Sequence, residues 1–225
     1  MTILAVCGLK REAEIAGGNG VVAVAGGGDA NGLAAKLEAL HGDITGMISI
    51  GLAGALSPHL KVGDVVIADR ILFGKDHWLC DNIWRVALAA KLPFAHQGPQ
   101  VGSDVILENA QSKAALYQAS GALAVDMESQ IAAKFAASRG LKLAGLRVIS
   151  DDATHVLPPA ALVAMRPDGG IALSRVLWSV AKNPLQIPAL IRTGRASGKA
   201  FPQLLRCRDL CGVGLGGVGP AGLDL

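Results

Sequence analysis

The stretch AVDMESQIAAKFAASRGLKLAGLRVISDD, residues 124–152, holds two regular elements and the joint between them. SQIAAKFAASR has helical spacing, and Gly140 reads as its C-cap because glycine enters left-handed backbone without steric cost. LKLAGLRVIS (141–150) is then an apolar run of strand length that delivers Asp151. An apolar strand directly after a helix is the pattern of a buried, largely parallel sheet. The same grammar recurs elsewhere. TILAV (2–6) reads as a first strand, and VVAVAGGG (21–28) as a strand running into glycines before the helical NGLAAKLEAL (31–40). MISIGLAGAL (47–56), KVGDVVIADRIL (61–72) and part of GPQVGSDVIL (98–107) supply further strands. This alternation predicts an α/β fold on a mixed central sheet, in one domain, since 225 residues would cramp two.

Composition narrows the function classes. Hydrophobic residues make up 51% and charged ones 17%, enough for a large core without a membrane span. No apolar run reaches about 18 residues, and MTILAVCGLKRE lacks the basic region of a secretory signal, so a cytoplasmic protein is expected. The four cysteines (7, 80, 207, 211) have no zinc spacing and are read as reduced thiols. Net charge is +3, but residues 1–165 carry −2 and residues 166–225 carry +5. Aromatics are only 4% and no nucleic-acid motif is present, so nucleic acid is not an expected partner. From 171 onward the pattern is helical with breaks at Pro184 and Pro188 and a basic polar face. The domain is placed at 1–206, with a disordered Gly-rich tail at 207–225.

Two acidic sites raise a choice. Asp126 and Glu128 open the helix at 129, where acids complement free N–H groups and the helix dipole. Alternatively, a carboxylate at so apolar a position grips a ligand. Asp151 ends a strand, where open α/β sheets place ligands, yet an acid there also suits a turn. GGGDANG has the form of an anion-binding turn, while GxGxxG, GxSxG, HExxH and the P-loop pattern are absent, and the five histidines form no metal-ligand spacing.

Taken in order, GLKREA, AGGGDANGLAA, ISIGLAGALSPHLKVGDVVIAD, VDMES and RVISDDA resemble the purine nucleoside phosphorylase and uridine phosphorylase superfamily over roughly residues 1–155. The nearest branch is the methylthioadenosine/S-adenosylhomocysteine nucleosidases. The resemblance implies a three-layer α/β/α phosphorylase-like fold and cleavage of a purine N-ribosidic bond. The segments RPDGGIALSRVL and NPLQIPALIR extend it to the hopanoid-associated phosphorylases, which implies phosphorolytic release of adenine from adenosylhopane.

The resemblance also assigns roles. Asp151 is the acid that protonates the leaving purine, raised in pKa by an apolar pocket and oriented by Ser150. Glu128 accepts the ribose 2′ and 3′ hydroxyls, Met127 packs on the sugar, and Arg147 converges near the nucleophile. Glu12 stands at the water-activating position of the nucleosidases. Arg11 stands at a phosphate-gripping position, with Gly8 and Gly28 as backbone donors. Ile106 replaces an aromatic that stacks on adenine. Ser49 and Leu52 stand where phosphorylases carry an arginine and a serine. The expected enzyme needs no metal or organic cofactor, only inorganic phosphate as co-substrate. Its expected partners are a small-molecule or lipid-linked adenosyl substrate, a second copy of itself, and a membrane surface met by the basic C-terminal segment. Two rivals stand beside this reading: a hydrolytic nucleosidase with Glu12 as base, and a nucleoside-binding protein without turnover.

Overall fold

The computed structural model describes residues 2–217. Its strands are β1 (Thr2–Cys7), β2 (Val21–Ala25), β3 (Ile44–Ala55), β4 (Val65–Phe73), β5 (Asp76–Leu79), β6 (His96–Gly102), β7 (Ala124–Asp126) and β8 (Lys142–Asp151). The helices are α1 (Lys10–Ala16), α2 (Ala30–Glu38), α3 (Asn82–Lys91), α4 (Ala110–Ser120), α5 (Ser129–Arg139), α6 (Pro159–Leu162), α7 (Leu173–Lys182) and α8 (Ile187–Cys211). The helix and strand read from 124–152 are both present, and Gly140 caps α5 at φ 62°.

The strands form one mixed sheet. β1 pairs in parallel with β2 and β3, and β3 in parallel with β8. β8 then runs antiparallel to β4, β4 parallel to β6, and β6 parallel to β7, which returns antiparallel to the end of β3. That circuit curls the sheet's centre on itself and gathers the C-terminal ends of β1, β3 and β8 at one rim.

Alternation along β1 separates two apolar layers. Ile3, Ala5 and Cys7 face Trp84 and Leu88 of α3 and Ala200, Leu204 and Cys207 of α8. Leu4 and Val6 face Leu33 and Leu37 of α2 and Ala132, Phe135 and Ala136 of α5. Helices therefore cover both faces, as the expected three-layer fold requires. No helix among the described residues is long and apolar enough to cross a membrane.

The expected boundary at 206 needs correction. α8 continues through Cys211, and Cys207, Cys211 and Leu215 are buried in the first layer. Trp84 Nε1 donates to the Leu215 carbonyl at 3.0 Å, and Lys91 Nζ donates to the Cys211 carbonyl at 2.6 Å. Hydrophobic burial at helical spacing outweighs the glycine content up to 217; the rest of the expected tail lies outside the described residues. Pro188 also fails to break the chain, since it sits in the first turn of α8, where its missing N–H costs nothing. Ending the chain at Arg206 removes three buried side chains, each contributing on the order of 2 kcal/mol or more. The expected result in a thermal melt is a midpoint lower by roughly 10 °C or more; an unchanged midpoint contradicts this packing.

Candidate active site

At the rim, α1 follows β1 after two residues, and Glu12 is its third helical residue. Its carboxylate turns back over the helix start. Oε2 accepts from Gly8 N at 2.7 Å and Leu9 N at 2.8 Å, and Oε1 accepts from Leu52 N on β3 at 2.9 Å. Three amides thus form an anion nest that the protein's own carboxylate fills. Burial raises the Glu12 pKa, opposed by these N–H bonds and by Arg147.

Arg11 lies one residue away, about 100° around the helix. It is exposed, and its guanidinium stacks 4.2 Å from the Phe201 ring centroid on α8. It lines an outer groove with Glu14, Ile15 and Leu205, not the rim. The phosphate-gripping role expected of Arg11 is therefore corrected. Gly8 is not a free donor either, because its N–H is held by Glu12. Gly28 faces Glu128, whose ionised form its N–H favours.

The two acids of VDMES divide cleanly. Asp126 ends β7, and its Oδ1 accepts from Glu128 N at 2.8 Å and Ser129 N at 2.7 Å, which caps the entry to α5. It also pairs with Arg147 Nη2 at 3.0 Å and accepts from Gln100. Asp126 is thus the structural acid. Glu128 is 4% exposed, and its Oε1 has no hydrogen-bond partner. Burial first, then the Asp126 charge, push its pKa up to about 8. A Cβ placed on Gly8 would lie 3.1 Å from Glu128 Oε2 and 3.3 Å from Glu12 Oε2, so both carboxylates border one small space.

Arg147 of β8 is fully buried. Nη2 is used by Asp126 and Ser49, whereas Nε and Nη1 lack partners. Nη1 is aimed at the backbone of Gly51, where a Cβ would lie 2.9 Å from it and 2.7 Å from Glu12 Oε2. Buried donors and acceptors without partners are costly and rare. Here they mark a place where polar groups of a ligand fit.

The second half of the site is a cavity lined by Gly54, Val105, Ile106, Leu107, Lys113, Val125, Asp126, Met127, Asp151 and Leu157. Ile106 joins Val105 and Leu107 in an aliphatic wall. Ser150 Oγ lies 2.9 Å from Asp151 Oδ1 and 3.2 Å from the Ala53 carbonyl. The surroundings of Asp151 differ from the apolar pocket expected, because the buried ammonium of Lys113 sits on its Oδ2. Lys113 was not singled out from the sequence, where it is a lone lysine in the weakly patterned AQSKAALYQAS. His155 lies in a loop but is 8% exposed, and its ring Nε2 is hydrogen-bonded to Thr193.

A loop that the motifs did not flag closes the glycine turn. Lys10 N donates to the Gly169 carbonyl at 3.0 Å, and Lys10 Nζ pairs with Asp168 at 2.8 Å. A Cβ on Gly28 would lie 3.3 Å from Met165 Sδ.

Comparison with known proteins agrees with this architecture. The chain resembles Streptococcus pneumoniae MTA/SAH nucleosidase in complex with 8-aminoadenine, at 20% identity and TM-score 0.60, over 92% of this chain and 100% of that one. It resembles S-adenosylhomocysteine nucleosidase from Streptococcus pyogenes at 16% identity and TM-score 0.58, over 90% and 96%. Futalosine hydrolase of Helicobacter pylori aligns at 15% identity and TM-score 0.58, over 67% and 88%. No curated protein sequence matches. At such identities these structures establish the fold. The family profile described as Phosphorylase superfamily matches residues 11–181, most of the chain, with Glu12, Leu52, VDMES and RVISD inside it, and the protein belongs to that superfamily.

Proposed function

We propose that this protein cleaves the N-ribosidic bond of a purine nucleoside and that water is the nucleophile. Superfamily membership and the nucleosidase-like fold support the bond. The choice of water over phosphate rests on one observation: the Glu12 carboxylate occupies the amides of Gly8, Leu9 and Leu52 that an oxyanion would use. Phosphate there would lose its donors and meet a like charge, with Arg11 turned away to Phe201. Glu12 Oε1 accepts only the Leu52 amide and keeps lone-pair capacity for a water hydrogen, so the group is placed to act as base.

The remaining roles follow from position. Glu128 takes the ribose hydroxyls on its carboxylate, whose Oε1 has no partner, and Met127 packs on the sugar. Arg147 fixes Asp126 and holds Nη1 beside Glu12, where it can donate to the oxygen of the nucleophile. The purine rests on Ile106 and its neighbours, with Asp151 delivering the proton it needs to leave.

A second reading concerns the group on the ribose 5′ carbon. α7 follows the loop that covers Gly27 and Gly28, and it exposes Leu173, Leu177 and Trp178 beside Arg175 and Lys182. An apolar stripe flanked by cations suits a lipid-linked adenosyl substrate such as adenosylhopane, met at a membrane surface.

Adenine release from methylthioadenosine and from adenosylhopane, each with and without phosphate, tests these readings. Undiminished release without phosphate, yielding free ribose, is expected; a requirement for phosphate overturns the assignment of water. Release from methylthioadenosine alone removes the lipid-linked reading. Asp151→Asn is expected to lower kcat by about 10²–10⁴-fold.

Glu128 gives a pH test with a definite sign. Its pKa in the free protein is raised to about 8, and ribose hydroxyls favour the ionised form. Binding therefore releases a proton. Affinity for a non-hydrolysable nucleoside, measured by calorimetry, should rise from pH 6 to pH 8, by at most roughly tenfold per unit, and level off above. Glu128→Gln should bind more weakly with a flat profile, and a wild-type profile that falls over this range contradicts the role.

A further inference from the structure

Lys113 is the one buried lysine among the described residues, with a side chain 1% exposed. It stands in the first turns of α4, after the Asn109 cap, and its Nζ reaches into the sheet rim. There it contacts Asp151 Oδ2 and donates to the Asp152 carbonyl at 2.9 Å. The Asp151 side chain is 12% exposed and reaches the cavity between this ammonium and Ser150 Oγ. A lysine is rarely held this deep without a partner or a task. The partner here is the carboxylate that, under the function proposed above, protonates the leaving purine.

The geometry points to Lys113 as a positioning residue that acts through Asp151. It has two effects, both on the departing base. It locks the carboxylate, together with Ser150, so that one oxygen faces the cavity. It also supplies the proton that Asp151 hands on. As the C1′–N bond breaks, its electron pair goes to the purine. One proton moves from Lys113 Nζ to Asp151, and one from Asp151 to a purine nitrogen. Water adds at C1′ and gives its proton to Glu12. The neutral amine is then reprotonated from solvent, and Glu12 returns its proton there. This arrangement makes the enzyme selective for poor leaving groups that need protonation, because the ammonium has no part in expelling an anion that is already stable.

That selectivity separates the role from a merely structural one. Lys113→Met keeps an unbranched side chain, one atom shorter, and removes the donor. Adenine release from methylthioadenosine, or from whichever adenosyl compound the wild type accepts, is compared with release of 4-nitrophenolate from 4-nitrophenyl β-ribofuranoside. The expected result is a fall in kcat for adenine of about 10²-fold or more, in the range of lost proton transfer. KM should change less than about threefold, and 4-nitrophenolate release less than about fivefold. Lys113→Arg, which keeps the charge that holds the carboxylate but does not give up a proton, should recover less than tenfold of the lost rate. Should Lys113→Met not fold by circular dichroism, Lys113→Gln carries the same comparison. Equal losses for both leaving groups, or no loss for either, overturn the inference while leaving the proposed function intact. A wild-type protein that releases neither leaving group overturns both.

Discussion

The Arg147 guanidinium is the charge around which this rim is arranged. It is fully buried on β8, with Glu12, Asp126 and Glu128 around it, all under 10% exposed. With every group ionised the cluster would carry two uncompensated negative charges, which a buried setting does not sustain. The pairing resolves this unequally. Asp126 takes Arg147, Gln100 and two amides, so its charge is fully met. Glu12 takes three amides. Glu128 is left with the remainder and holds its proton up to about pH 8. Removing the guanidinium would strand Asp126, a loss of about 3–5 kcal/mol for a broken buried pair. The same cation thus stabilises the junction of β7 and α5 and leaves the neighbouring acid under-satisfied, which is the condition for binding a group that brings its own hydrogen-bond donors.

The strands were legible because each is an apolar run bounded by small residues, and the acids of VDMES and RVISD were legible because they interrupt such runs. Which acid grips and which one holds the backbone was open from sequence, since both uses place a carboxylate at a helix start. The neighbours Arg11 and Glu12 show the limit most clearly. Adjacent residues on a helix point about 100° apart, and nothing in GLKREA says which one faces the sheet. The backbone N–H of Leu52, a tertiary contact from forty residues away, decides it. α4 carries little sequence signal for a related reason: its only fully buried residue is a lysine, so its apolar pattern is weak. By contrast, the end of α8 carried a signal that composition hid. Ala200, Leu204, Cys207, Cys211 and Leu215 recur every three or four residues and are all buried, and that period counts for more than glycine content.

β3 then explains how the two halves of the site are held apart. Gly51 abuts Glu12 and Arg147, and Gly54 abuts Asp151 at 3.0 Å from an added Cβ. Three residues of strand separate them by about 10 Å. Between the glycines lie Leu52, whose amide serves Glu12, and Ala53, whose carbonyl meets Ser150. The strand backbone is therefore the floor of the site, bonding to the residues at each end. A side chain at Gly51 would displace the carboxylate from its nest, so glycine here is a requirement of close approach. With the floor rigid and both flanks buried, the anionic, amide-lined end and the ammonium-backed end stay at fixed separation. Under the proposed function, a base at one end and an acid at the other stay distinct only while that distance is kept. A backbone strand buried in the sheet fixes it more firmly than a loop would.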